Sequence, residues 1–219
     1  MLQLLMQGQI ALFTIILIAI IISLTFHEFG HAATAKLYGD DTAQKAGRLT
    51  LNPMSHIDPL GLAMVALVGF GYAKPVPTNP RNFRSRWADL FVSAAGPGMN
   101  LLLAIIAINV YVLGLMNDWS FTRGPGAEVF FVYLALINLT LMIFNLIPIG
   151  ALDGHYILPH FLPPNLAQKY RYWNHRHGNQ VLLVLILLSI FGLPVFSAII
   201  GFGETLLPYI TFVRPAGGN

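Results

Sequence analysis

The chain has 219 residues, 56% of them hydrophobic and 10% charged, with a mean hydropathy of +0.67; this excludes a water-soluble globule and indicates an integral membrane protein. Its net charge of +3 comes from bases gathered between apolar runs, with no sustained basic patch interleaved with aromatics, so the expected surroundings are a lipid bilayer and not nucleic acid. Cysteine is absent, which excludes disulfides, thiolate zinc sites and a cysteine nucleophile and leaves His, Asp and Glu to hold any metal.

Residues 1–26 carry no ionisable side chain and predict a membrane helix over 8–36, since about 20 helical residues cross a hydrocarbon core of about 30 Å. The run lacks a positive n-region and is longer than a typical h-region, so it reads as a retained span and not a signal peptide. His27-Glu28-Phe29-Gly30-His31 lies at its inner end. Histidines four residues apart on a helix sit about 40° apart around the axis and can both point a ring nitrogen at one zinc ion. Glu28 projects about 100° away from His27, outside that pair, and is free to take a proton from water activated by the metal.

Beyond the first span, Asp40-Asp41 reads as a solvated loop, and Arg48-Leu49-Thr50-Leu51, between Gly47 and Asn52-Pro53, reads as a short strand edge. Leu60 to Tyr72 is apolar but has only thirteen residues, is bracketed by Pro59 and Pro75, and is loosened by Gly61, Gly69 and Gly71. That is too short to cross and predicts a re-entrant or interfacial segment. Further spans are expected over 88–116, 128–152 and 181–202, the last kinked at Pro194, with Gly203–Val213 along the interface. His155, His160, His175 and His177, among Tyr170, Tyr172 and Trp173, read as an interfacial anchor belt. The expected fold is an all-α polytopic membrane protein of about four to five transmembrane helices, with a short re-entrant or β element after the first. It forms one membrane-embedded domain over 1–219, with a catalytic core over about 10–160 and a C-terminal helix over about 181–213.

If the short segment does not cross, Lys36, Lys45, Arg48, Lys74, Arg81, Arg84, Arg86, Lys169, Arg171 and Arg176 share one face against Arg123 and Arg214 on the other. Such a bias places the C-terminal ends of the first and third spans inside. Zinc held by two histidines needs a third protein ligand and an open position. Asp118, Glu128 and Glu204 fall on the opposite face, and Asp89 reads as a helix N-terminal acid. Asp153 matches the depth of His27 and His31, beside Pro148, Gly150 and Gly154, which break the third span. Its ordinary reading is an Asp-Gly turn. Whether His56 or His155 touches the metal stays open.

Together, His-Glu-x-x-His at the end of one apolar helix and Asn145-x-x-Pro148-x-x-x-Leu152-Asp153-Gly154 at the end of a later one resemble the site-2 protease family of intramembrane zinc metalloproteases. Leu51-Asn52-Pro53-Met54-Ser55-His56-Ile57-Asp58-Pro59, Ala73-Lys74-Pro75-Val76-Pro77 and Ala95-Gly96-Pro97-Gly98-Met99-Asn100 extend the likeness to the compact bacterial and archaeal branch, which has no PDZ or CBS module. The resemblance implies one Zn2+ per chain on His27, His31 and Asp153, with Glu28 as general base. It implies an endopeptidase cutting in or near the transmembrane segment of a single-span membrane protein, in regulated intramembrane proteolysis. It places the enzyme in the cell membrane as a multi-pass protein, with its active site toward the cytoplasmic face. Leu49 and Thr50 would offer an edge for an unwound substrate. Asn145 and Asn100 would donate hydrogen bonds to substrate or, equally, tie helices together. The competing readings are a metal transporter, whose ligands would be spread across the bilayer, and a catalytically silent scaffold that binds membrane helices.

Overall fold

The computed structural model describes residues 1–68 and 71–213. Gly69, within the short segment, and Arg214, counted above on the outer face, lie outside the described residues. Helix α1 (Ile10–Leu37) is the first span, and α2 (Pro59–Val68) is the helical part of the short segment. Helices α3 (Ala88–Met116) and α4 (Ala127–Asn145) complete, among the described residues, a set of three long enough and apolar enough to cross a membrane. Helix α5 (Pro164–Trp173) runs through a π-helical turn (Asn174–Gly178) into α6 (Asn179–Ile190), and α7 (Val195–Ile210) follows after an 87° bend. No strand occurs among the described residues. The chain is an all-helical, multi-pass membrane protein.

Helices α1, α3 and α4 pack against one another around Ala19, Ala104, Ala107, Ile108, Leu134, Ala135 and Leu139. Small side chains dominate because lipid offers no hydrophobic drive toward association, so close backbone approach and polar ties must hold helices together. Gly30 is one such approach: a Cβ there would lie 2.6 Å from Met99 Cγ and 2.8 Å from the Ala95 carbonyl oxygen of α3.

Several expectations change. The third span ends at Asn145, seven residues before the expected 152, because Pro148 and the positive φ of Gly150 (65°) stop the helix and turn the chain. The fourth is broken at 191–194, where Gly192 (φ 107°) and Pro194 make a sharp bend, well beyond a kink. Helix α7 does not lie apart along an interface: Leu206, Leu207 and Ile210 pack on the core, and Asn109 of α3 accepts from the Phe212 and Val213 amides at 2.7 and 2.9 Å. Arg48–Leu51 forms no strand. The β contact that exists is an isolated antiparallel bridge between Ile57 and Ala73, beside a Lys74 amide bond to the His56 carbonyl at 2.8 Å.

That bridge bears on the short segment. Asp58 caps α2 by accepting from the Leu60 and Gly61 amides, each at 2.9 Å. The chain then returns so closely that a Cβ on Gly61 would collide with the Tyr72 carbonyl, and one on Gly71 with the Gly61 carbonyl. The two ends meet at Ile57 and Ala73, so the segment enters and leaves at one place, in keeping with re-entrance. Asp40 is also not solvated: it is fully buried and accepts from the Thr42 hydroxyl, the Asn79 amide at 2.6 Å and the Asn82 amide group at 2.8 Å. It therefore ties the end of α1 to the turn leading into α3. Burial alone would raise its pKa, but these donors outweigh it and hold the carboxyl at about 2.

Candidate metal centre

His27 and His31 lie one turn apart on α1, with their Nε2 atoms 3.1 Å apart. Each ring is oriented by its other nitrogen. His31 Nδ1 is 2.7 Å from the Val92 carbonyl of α3, an acceptor only, so Nδ1 carries the proton and Nε2 presents a lone pair. His27 Nδ1 is 2.7 Å from Asn100 Oδ1, which leads to the same tautomer. Asp153 comes from the turn after α4, its Oδ2 3.3 Å from His27 Nε2 and its Oδ1 3.4 Å from His31 Nε2.

That turn is held by its neighbours. The buried Asn174 side chain donates to the Gly150 carbonyl at 2.9 Å and accepts from the Gly150 amide at 2.8 Å, and the Tyr170 hydroxyl donates to the Pro148 carbonyl at 2.7 Å. Residue 154 must be glycine because a Cβ would enter the Leu146 carbonyl. The segment read as an anchor belt thus also braces the loop that carries Asp153.

Three ligand atoms converge, and Asp153 Oδ2 is buried without a hydrogen-bond partner. The 3.3 and 3.4 Å carboxylate distances exceed the roughly 2.7–2.9 Å of a charge-assisted hydrogen bond. They are close to the separation, about 3.3 Å, that two ligands keep when each lies about 2.0–2.1 Å from one tetrahedral ion. Two imidazoles and a carboxylate, with both Nδ1 protons engaged, therefore fit a zinc ion with an open position. Gly96 of α3 forms the wall behind them: a Cβ there would run into His31 Nε2 and lie 2.6 Å from Cε1 of both rings.

Glu28 is buried beside this cluster but outside it. Its Oε2 accepts from the Val76 amide at 3.2 Å. Val76 belongs to the extended stretch 72–79, which the buried Arg48 guanidinium clamps through the Lys74 and Pro75 carbonyls. Arg48 thus acts inward on this stretch and does not begin a strand.

The remaining expected site residues fall elsewhere. Asn100 is fully buried and its side chain is consumed by His27, Asn138 and the Ser23 carbonyl, so it faces the ligand and no substrate. Asn145 is half-buried and donates to Leu141 at 3.0 Å. Leu49 and Thr50 are half-buried in a bend, where the Thr50 hydroxyl and carbonyl accept from Asn52 and His56. Among the described residues His27, His31 and Asp153 form the one such ligand cluster, which neither His56 nor His155 joins. His155 and His175 instead line a cavity of about 740 Å³ with Arg84, Arg86, Arg171 and Asp89, whose excess positive charge is unsuited to a second cation. Burial and Arg171 push the His155 imidazole below its usual range.

Ser23, Gly96, Asn138 and Asn174 were given no role in the sequence reading. The first and third were visible as polar residues within apolar runs, Ser23 one turn before His27 and Asn138 two turns before Asn145. Gly98, in the same motif, has open space beside it, and Gly96 is the one in contact.

The family model described as "Peptidase family M50" matches residues 15–117 and 112–189. Among curated proteins, "Putative zinc metalloprotease YwhC" of Bacillus subtilis is 41% identical over 165 residues, covering 73% of this chain and 74% of that protein. Two proteins named "Putative zinc metalloprotease Rip2" are 34% identical (Mycolicibacterium smegmatis) and 35% identical (Mycobacterium tuberculosis), covering 71% and 69% of this chain. The chain spans 61% and 59% of their respective lengths. No solved structure matches the chain.

Proposed function

Because the chain belongs to peptidase family M50, the site-2 protease family, and is by that membership a zinc metalloprotease, we propose that it is an intramembrane endopeptidase. Its substrates are single-span membrane proteins, cut in or near the transmembrane segment in regulated proteolysis. His27, His31 and Asp153 hold one zinc ion per chain, and Glu28 is the general base. The enzyme works in the cell membrane with its site toward the cytoplasm. The observation that carries this reading is the convergence of a ring nitrogen from each of two histidines and a carboxylate oxygen within 4.8 Å of one another, with Asp153 Oδ2 buried and without a hydrogen-bond partner.

Bound there, zinc supplies Lewis acidity to the attacking water and to the scissile carbonyl. Glu28 takes the proton from that water and delivers it to the leaving amine. The Val76 amide fixes one carboxylate oxygen, so the other is left to face the reaction. His27 lies ten residues before the end of α1 at Leu37, about 15 Å along the axis, which is the length of the water route the reaction needs from the basic face to the site. A helical substrate must unwind to expose its carbonyls, and Asn145, with Leu49 and Thr50, is proposed to receive the freed backbone groups. A transporter would need further ligand stations, and none occurs among the described residues.

The test is cleavage of a single-span substrate co-reconstituted in vesicles with the protein or with Glu28→Gln. The variant is expected to lose activity by at least about 10²-fold while keeping its zinc. Equal cleavage by both would remove Glu28 from the mechanism.

A further inference from the structure

Behind His27 runs a file of buried side chains that crosses all three spanning helices: Asn100 on α3, Asn138 on α4 and Ser23 on α1, each with no solvent exposure. Its bonds have one direction. Asn138 Nδ2 is 2.8 Å from the Leu134 carbonyl and 2.7 Å from Ser23 Oγ, and the Ser23 hydroxyl proton is already given to the Ala19 carbonyl at 2.7 Å. Both neighbours can therefore only accept, so the NH2 of Asn138 must face them and its oxygen must face Asn100. Asn100 Nδ2 lies 2.7 Å from that oxygen and 3.2 Å from the Ser23 carbonyl. Its amide is fixed in turn, and its oxygen is presented to His27 Nδ1 at 2.7 Å. An amide flip anywhere along the file would set oxygen against oxygen at positions with no solvent exposure.

We infer that the His27 tautomer is set from α4 by this file, and that Asn138, which touches neither ligand nor Glu28, is a positioning residue for the metal centre. His31 takes its tautomer from a main-chain carbonyl of α3, so His27 is the ligand whose form depends on side chains. The bare Nε2 that the site requires thus exists only when α1, α3 and α4 are packed together. This rests on the zinc reading given above for its consequence, but not for the tautomer itself.

The test uses the purified chain and two measurements. Histidine 15N NMR of the metal-free protein is expected to show His27 as the Nδ1–H tautomer, and as a mixture in Asn138→Leu. Zinc affinity by chelator competition is expected to fall about 10–100-fold in Asn138→Leu and Asn100→Leu. Asn109→Leu removes another polar tie on α3 away from the site and is expected to leave affinity unchanged. An Nε2–H tautomer in the unaltered protein overturns the inference whether or not any variant folds. So does wild-type affinity in Asn138→Leu, or an equal loss in Asn109→Leu. Failure of the zinc reading looks different: the unaltered chain and His27→Ala would then bind zinc alike or not at all.

Discussion

Replacing Gly96 by alanine adds one methyl group to a helix that should welcome it, since alanine exceeds glycine in helix propensity by about 1 kcal/mol. The site makes the opposite demand. The new Cβ would lie 2.6 Å from Cε1 of both His27 and His31, where ordinary contact is 3.4–4 Å, and closer still to His31 Nε2. The rings must retreat by about 1 Å, several times the roughly 0.2 Å that metal–ligand distances tolerate. Moving the α3 backbone away instead would give up its close approach at Gly30 and its bonds to the two rings from Val92 and Asn100. A displacement of that size is expected to cost about 10²-fold in proteolysis, together with a measurable loss of bound zinc in the purified protein. Gly98→Ala is the internal control, two residues along the same helix with nothing within 4 Å of its Cβ. It is expected to keep both zinc and activity and to melt no lower than the parent. If Gly96→Ala kept full zinc occupancy and activity, the glycine would not form the wall described, and the tight placement of the two imidazoles against α3 would be wrong.

Asn174→Ala leaves the buried amide and carbonyl of Gly150 unpaired and should destabilise the loop carrying Asp153 by about 1–3 kcal/mol, read as a lower zinc affinity and faster proteolytic nicking at 146–153. Asp40 has its carboxyl held at about 2 in the folded chain against an ordinary 3.8, so the folded state is favoured by ionisation. That contribution, about 2 kcal/mol, is fully present above pH 4 and is lost as the pH falls toward 2. Asp40→Asn should remove it and flatten the acid limb of a pH-dependent melting curve over that range. A limb unchanged in the variant would show that Asp40 does not link the end of α1 to the 79–82 turn.

The parts of this protein written in local pattern were legible in its sequence. Span α3 begins and ends where expected, and α1 starts two residues late and ends one late, because a charge-free run of sufficient length has no alternative to a helix in lipid. The fourth span was legible only as an apolar run with a kink at Pro194. Hydropathy averages over residues 179–210 and registers neither the turn at Gly192 and Pro194 nor the packing of Leu206, Leu207 and Ile210 on the core. The segment around Asn174 shows the same limit, because its aromatics and bases satisfy an interfacial pattern whichever face of the helix is turned toward Gly150. Arg48–Leu51 looked like an edge from its neighbours alone, whereas the arginine's partners are carbonyls more than twenty residues away.

By itself the sequence determined the membrane class, the orienting excess of bases, and the alignment of His27 and His31 with Glu28 turned aside. Each of these follows from helix period and hydropathy over a few turns, and Asp153 joined them through the breakers around it. Only the tertiary structure decided which nitrogen of each histidine is bare, why residue 96 has no side chain, and what holds the Asp153 turn and the Glu28 carboxylate in place. Those depend on hydrogen-bond partners and excluded volume contributed by other helices, and no spacing within one segment encodes them.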